Sequence, residues 1–123
     1  MKLSINFDEQ DGSAVPGIVA VCNELSLAYV LEERNDWLTH ALRPQSEDST
    51  HILFVVSPGA AASWWLPFQM GRAVERHVSI ISYEWGSMTN LPRYLEAGDT
   101  VKGLEDLKSR LCRLTSSHAS SDH

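Results

Sequence analysis

The chain has 123 residues, a length that accommodates one domain and excludes repeat arrays and two-domain enzymes. Hydrophobic residues make up 43% and charged residues 21%, so the chain can bury a core. The net charge of −6, without a long basic run, argues against nucleic acid as a partner. No apolar stretch approaches the roughly 20 residues that cross a bilayer, and the N-terminus lacks a signal-peptide core. A cytoplasmic protein without membrane contact is therefore expected.

The first half of the chain predicts a strand, a helix and a second strand. Alternating apolar residues over 2–7 predict the first strand, and the polar sequence DEQDGS predicts a loop after it. Helical spacing over 15–25 predicts the first helix, with Ser13 as its cap. The run SLAYVLEE is interpreted as a short second strand, although the same letters could prolong the helix. A short helix over 35–42 follows.

The second half predicts two further strands with high apolar content and a closing helix. The sequence HILFVV at 51–56 is continuously apolar and β-branched, which is typical of a strand buried on both faces. The later predicted elements are a helix from Ser63 to His77, a strand over 78–83, a short strand near 100–101 and a helix through Leu104–Leu114. We therefore expect one domain over 1–114 and a disordered polar tail over 115–123.

Few motifs in the chain carry chemistry on their own. Cys22 and Cys112 stand far apart in apolar contexts, which predicts two buried thiols rather than a disulfide or a nucleophile. The five histidines show no paired ligand spacing, so no metal site is predicted. No glycine-rich phosphate motif and no GxSxG sequence occurs.

Strands alternating with helices predict a three-layer α/β fold, a flavodoxin-like parallel sheet with helices on both faces. In the strand order 2-1-3-4-5, ligands bind at the carboxyl ends of the strands where the order reverses. The candidate ligand-binding residues at or near these ends are Asn6, Phe7, Asp8, Ser57, Ser63, Trp65 and Glu84. Trp64 and Trp65 lie about 100° apart on a helix, so one of the two is expected in the core and Trp65 in the pocket.

The stretch HILFVVSPGAAASWWLPFQMGRA resembles the third strand and following helix of Toll/interleukin receptor (TIR) domains. Those domains commonly read as an apolar strand, Ser-Pro, a short loop and Ser-x-Trp-x-x-x-Glu. The chain is most similar to small stand-alone bacterial TIR-like proteins, and LPRYL and GLEDLKSRL resemble their closing segment. The resemblance implies a flavodoxin-like fold and cleavage of NAD at the nicotinamide–ribose bond, in signalling or antiviral defence. It implies NAD as substrate or ligand, no separate cofactor, and a homo-oligomer through TIR–TIR contacts.

The resemblance places the catalytic glutamate of the family on Gln69, counted from Ser63 and Trp65. Cleavage of the N-glycosidic bond builds positive charge on the ribose, which a carboxylate stabilises and a glutamine does not. The chain is therefore expected to be slow or inactive as an NAD+ nucleosidase. Three explanations stay open: a natural non-enzymatic binder, another carboxylate such as Asp8 or Glu84 in the catalytic role, or a deliberately inactivated form.

The resemblance also implies that Arg34 and Trp37 belong to a loop for substrate entry and self-association. Residue types alone favour another interpretation, in which Asn35 and Asp36 cap a helix and Arg34 is a solvated charge. Arg72, three residues after Gln69, could meet a phosphate or lie exposed. Two other function classes fit the same sequence: a non-catalytic module that works by self-association, and a nucleoside deoxyribosyltransferase-like enzyme.

Overall fold

The computed structural model describes residues 1–34, 49–61, 65–86 and 98–121, and these residues include a single five-stranded parallel sheet. The strands are β1 (Lys2–Asp8), β2 (Ala28–Arg34), β3 (His51–Val56), β4 (Ser79–Glu84) and β5 (Asp99–Lys102). The helices are a 3₁₀ helix (Glu9–Ala14), α1 (Val15–Glu24), α2 (Pro58–Ala61), α3 (Trp65–Glu75) and α4 (Gly103–Ser121). The predicted helix over 35–42 lies outside the described residues.

The strand order across the sheet is β2-β1-β3-β4-β5, and every neighbouring pair is parallel. This is the flavodoxin-like three-layer α/β fold, so the predicted fold class and strand order are confirmed. The order reverses between β1 and β3, because the chain moves outward from β1 to β2 and then returns to the other side of β1.

One face of the sheet, here called the α1 face, carries the larger core. Alternate residues of all the strands point to this face and pack against α1 and α4. The strand residues of this core are Leu3, Ile5, Phe7, Leu53, Val55, Ile81, Tyr83 and Val101. The helices contribute apolar stripes, with Ile18 and Cys22 from α1 and Leu107 and Leu111 from α4.

The opposite face, here called the α3 face, carries a smaller core under one helix. It joins Ile52, Phe54, Val56 and Ile80 of β3 and β4 to Leu66, Met70 and Ala73 of α3. The spacing of these three helix residues places them on one stripe that faces the sheet. The described apolar cluster on this face does not extend to β1 or β2.

Two local predictions at the start of the chain differ from the structure. The sequence DEQDGS forms the 3₁₀ helix rather than a loop, because the Asp8 carboxylate accepts a hydrogen bond from the Gln10 backbone N–H at 3.3 Å. Ser13 belongs to this 3₁₀ helix and does not cap α1, whose N-cap is Ala14 without a side-chain hydrogen bond. The helical turn before α1 therefore takes the place of a side-chain cap.

The last helix also differs from its prediction. α4 continues through Ser121, so residues 115–121, predicted to be unordered, are helical. Cys22 is buried as predicted, but Cys112 is exposed, because it follows the buried Leu111 by one residue and so lies about 100° round the helix. Burial raises the pKa of the Cys22 thiol to about 11. Among the helices that the structure describes, none has both the length and the apolar character that crossing a membrane requires.

Candidate functional site

The carboxyl ends of β1, β3 and β4 meet at one edge of the sheet, next to the point where the strand order reverses. β1 ends at Asp8, Ser57 follows β3 directly, and β4 ends at Glu84. The backbone N–H of Trp85 donates to the Val56 carbonyl at 2.7 Å and holds the ends of β3 and β4 together. Three of the predicted site residues therefore lie on neighbouring strand ends.

A buried carboxyl group connects the β1 and β3 ends. Asp11, in the 3₁₀ helix, is only 4% exposed and accepts a hydrogen bond from the Ser57 hydroxyl at 2.8 Å. Desolvation by burial raises the pKa of Asp11, the Ser57 hydrogen bond acts in the opposite direction, and the neighbouring Asp8 adds to the rise. A carboxyl group perturbed in this way at a strand-end crevice is typical of a functional site.

A second contact joins the same two loops. A methyl group added at Gly59 would come within 2.8 Å of the Gln10 side-chain nitrogen, so the Gln10 amide lies directly against this glycine. The loop after β1 and the loop after β3 thus approach each other in two places, through Gln10 and through Asp11. The two loops therefore contact each other across the ends of β1 and β3.

The two carboxylates that the sequence offered as replacements for the family glutamate are engaged elsewhere. Asp8 uses a carboxylate oxygen to cap the 3₁₀ helix. Glu84 lies 3.5 Å from the Lys102 ammonium on the neighbouring strand β5. Each carboxylate therefore already has a structural partner, and Glu84 has a charged one.

A polar group of three side chains lies on the α3 face, where β1 and β2 run beside each other. The Asn6 amide donates to the Ser4 hydroxyl at 3.1 Å, and that hydroxyl donates to the Glu32 carboxylate at 3.0 Å. Asn6 and Glu32 are register partners on the two strands, and Asn6 is also the partner of Phe54 on β3. The Asn6–Ser4–Glu32 group therefore borders the apolar core under α3.

Gln69 lies on a flank of α3. It is half-buried, one residue before the buried Met70, and so about 100° round the helix from it. α3 runs back from the carboxyl edge of β3 to the start of β4. Parallel β–α–β units have right-handed crossovers. With this handedness and this direction of α3, the side of the helix that carries Gln69 faces β1, and the side that carries Pro67 faces β5. Gln69 is therefore on the side of α3 nearest the Asn6–Ser4–Glu32 group.

The structure separates the predicted site residues into four sets. Asn6, Asp8, Ser57, Gln69 and Glu84 lie at the carboxyl edge or on the α3 face. Phe7 does not join them, because strand alternation places it on the α1 face, where it is buried in the core. Arg34 is the last residue of β2 and Trp65 the first of α3, but their side chains lie outside the described residues. Trp37 and Ser63 lie outside them altogether.

Sequence reasoning missed three residues that the structure places in this region, Asp11, Ser4 and Glu32. Asp11 stands in a polar stretch that predicted a solvated loop, and only the fold shows its burial. Ser4 and Glu32 occupy the polar positions of alternating strands, which usually face water. No pattern in the sequence indicates that Ser4 is buried beside β3, so only the structure draws attention to this face.

Metal ligands do not cluster in the part of the chain that the structure describes. There, no group of three or more His, Cys, Asp or Glu side chains could hold a metal ion.

Comparison with known proteins supports the fold without assigning a family. No family model matches the chain, and no curated protein matches it. A similar solved structure is the 1.60 Å crystal structure of a 3-dehydroquinate dehydratase-like protein from Bifidobacterium longum. The two chains are 13% identical and superpose with a TM-score of 0.59, over 90% of this chain and 92% of that one. At this identity the similarity establishes the α/β fold over nearly the whole length.

Proposed function

We propose that the chain is a TIR-like protein that binds NAD, or a related adenine nucleotide, at the carboxyl edge between β1 and β3. The observation that carries the proposal is the buried Asp11–Ser57 pair at the reversal of strand order, where ligands of such folds bind. A buried carboxyl group with a perturbed pKa at such a place is a candidate for a functional residue, and this supports the proposal.

The charge of the site fits the nicotinamide end of NAD. The nicotinamide ring of NAD is a cation, and the ribose beside it carries hydroxyl groups that carboxylates accept from. The described carboxyl edge carries the carboxyl groups of Asp8, Asp11 and Glu84; Glu84 is paired with Lys102, so the attraction for a cationic ring comes from Asp8 and Asp11. Cleavage would break the bond between ribose C1′ and the ring nitrogen. The electron pair of that bond goes to the nitrogen and neutralises its positive charge. Water, or an adenine nitrogen in a cyclase, then bonds to C1′, and one proton is released.

The sequence resemblance also predicts how fast this chain would cleave NAD. With glutamine at position 69, the chain lacks the carboxylate that the family motif places there, so cleavage should be slow. Restoring one well-placed electrostatic contact typically changes a rate by about 10²–10³-fold. A cytoplasmic location and a role in bacterial defence signalling belong to the same proposal.

The decisive experiment measures nicotinamide release from NAD by the wild-type chain and by Gln69→Glu at high protein concentration. We expect Gln69→Glu to release nicotinamide about 10²–10³-fold faster. Val74→Glu is the control, because it adds the same charge to α3 at a position that is 50% exposed. NAD should raise the melting temperature of all three proteins.

The results separate the proposal from its rivals. If NAD neither raises the melting temperature nor is cleaved by any of the three proteins, the proposal is wrong. Oligomers that form without nucleotide in sedimentation would then favour the self-association module. Exchange of deoxyribose between bases would favour the nucleoside deoxyribosyltransferase-like enzyme.

A further inference from the structure

We propose that the 3₁₀ helix (Glu9–Ala14) is a pH-dependent clasp on the carboxyl edge, closed by the Asp11–Ser57 hydrogen bond and opened more often when the Asp11 carboxyl is ionised. The clasp joins the loop after β1 to the loop after β3, at the reversal of strand order where ligands of such folds bind. The inference goes beyond the proposed function, because it concerns access to this edge for any ligand. Its test needs no nucleotide, so either proposal can fail without the other.

Two side chains of the 3₁₀ helix contact the loop after β3. The Ser57 hydroxyl donates to the Asp11 carboxylate at 2.8 Å. The Gln10 side-chain nitrogen lies 2.8 Å from the place where Gly59 would carry a methyl group. Gln10 is exposed, whereas Asp11 is only 4% exposed. The buried contact of the clasp is therefore the Asp11–Ser57 hydrogen bond.

The 3₁₀ helix has few interactions of its own that would keep it in place. Two of its six residues are buried, Asp11 and the small Ala14. Its cap is the hydrogen bond from the Gln10 backbone N–H to the Asp8 carboxylate, at 3.3 Å. Hydrogen-bond geometry in 3₁₀ helices is poorer than in α-helices. A short element with little apolar burial opens at a lower free-energy cost than the whole domain.

Burial of Asp11 makes the closed clasp sensitive to pH. A carboxyl group removed from water disfavours its ionised form, and this raises the pKa of Asp11 above 3.8. The Ser57 hydrogen bond opposes the rise, and the charge of Asp8 adds to it. When the 3₁₀ helix opens, the Asp11 carboxyl returns to water and its pKa returns toward 3.8.

The charged groups around Asp11 come from the elements that pack against the 3₁₀ helix. Asp8 of β1 is the group whose charge acts on Asp11, in the same direction as burial. Arg34 is the register partner of Asp8, and its side chain lies outside the described residues. The remaining ionisable residues of β1, β2, the 3₁₀ helix and α1 are Lys2, Glu9, Cys22, Glu24, Tyr29, Glu32 and Glu33.

The clasp therefore opens more readily at neutral pH than in acid. Well below pH 3.8 the Asp11 carboxyl is protonated in both the closed and the open form, and opening is least frequent. As pH rises from 3.8 through the raised pKa of the closed form, the opening constant increases by at most about tenfold per pH unit. Above that pKa it is constant.

Amide hydrogen exchange, measured by NMR from acid to neutral pH, tests the clasp. The probe is the Val15 backbone N–H, which donates to the Gly12 carbonyl at the end of the 3₁₀ helix. In the wild type we expect it to exchange at least about tenfold faster than the β3 amides, after correction for intrinsic rates. The ratio of the opening constants of the wild type and Asp11→Asn should rise with pH above 3.8 and then level off. Glu9→Gln removes an exposed carboxylate from the same helix and should follow the wild type.

Two results would overturn the inference. If the Val15 N–H exchanges as slowly as the β3 amides, the 3₁₀ helix opens only when the whole protein unfolds. If the ratio between the wild type and Asp11→Asn does not change with pH, ionisation of Asp11 does not open the clasp.

Should Asp11→Asn not fold, Ser57→Ala replaces it, because it removes the hydrogen bond to the Asp11 carboxylate. At neutral pH the Val15 N–H should then exchange about 10–100-fold faster than in the wild type, with a smaller difference in acid. Ser13→Ala, at an exposed serine of the same helix, is the matched control. Equal exchange rates in Ser57→Ala and Ser13→Ala would overturn the inference.

Discussion

The two faces of the sheet differ in what covers them and in what their side chains do. On the α1 face, a continuous apolar core crosses the strands and packs against two helices. On the α3 face, the apolar core of the described residues joins β3, β4 and α3, and polar side chains occupy β1 and β2. Among the described residues, the first face therefore has the larger apolar core, and the second combines a smaller apolar core with hydrogen-bonded polar side chains.

This division follows from the order of the strands. β1 lies inside the sheet, and its apolar residues Leu3, Ile5 and Phe7 are buried on the α1 face. Their burial does not depend on the residues that β1 presents to the α3 face. On the α3 face the crossover from β3 to β4 places α3 to one side of β1. The apolar core described on that face therefore stays with β3 and β4.

The largest expected effect on stability comes from truncating a large side chain in the core of the α1 face. Leu53 is fully buried in the middle of the sheet. Leu53→Ala should lower the free energy of unfolding by about 2–5 kcal/mol, since it removes apolar contacts and leaves a cavity. Urea denaturation measures the change. A loss below about 1 kcal/mol would contradict the division between the faces.

The next effect concerns Asp11, whose pKa is raised by burial above its usual value of 3.8. Because the folded state disfavours the ionised carboxyl, Asp11 lowers stability as pH rises from 3.8 through its raised folded pKa. The penalty is fully present above that pKa and absent well below 3.8. Asp11→Asn should remove it while keeping a partner for Ser57, so the variant gains stability relative to wild type as pH rises.

Urea midpoints measured at several pH values for both proteins test this expectation. Glu105→Gln, an exposed carboxylate in the first turn of α4, serves as the control and should follow the wild type. If the difference in urea midpoint between the wild type and Asp11→Asn stays constant from acid to neutral pH, the folded state does not disfavour the ionised Asp11 carboxyl, and the prediction is wrong.

The smallest effect compares two buried serines on the α3 face. Ser4 accepts from Asn6 and donates to Glu32, whereas the Ser82 hydroxyl oxygen has no hydrogen-bond partner among the described residues. Ser4→Ala should lower the free energy of unfolding by about 1–3 kcal/mol, because it leaves its partners unsatisfied. Ser82→Ala should leave it unchanged or raise it by about 1 kcal/mol. Equal losses in denaturation midpoints would contradict the assignment of the polar group.

Most of the fold could be predicted from residue patterns. The alternation over 2–7 and the apolar run over 51–56 identified two strands, and alternation of strands with helices implied the parallel sheet. These patterns succeed because burial on one or both faces leaves a periodic trace in the sequence. Two features left no such trace. The 3₁₀ helix depends on a local hydrogen bond, and the length of α4 depends on a polar segment that continues the helix.

The candidate site was predictable only in part. Strand ends follow from the topology, so Asn6, Asp8, Ser57 and Glu84 could be named in advance. Phe7 could not be excluded without knowing which face each strand residue takes. The partners of each carboxylate depend on register between strands that lie far apart in sequence, as Ser4 and Glu32 do.

The two cysteines give the chain an internal reporter of its own opening. Cys22 is fully buried, and its thiol, with a pKa of about 11, stays protonated at neutral pH, whereas Cys112 is exposed on α4. Since only the thiolate is nucleophilic, alkylating reagents should label Cys112 at once and Cys22 only after α1 leaves the sheet. The slow labelling rate of Cys22 thus follows local opening of the α1 face, and a ligand that binds the folded state should slow it further.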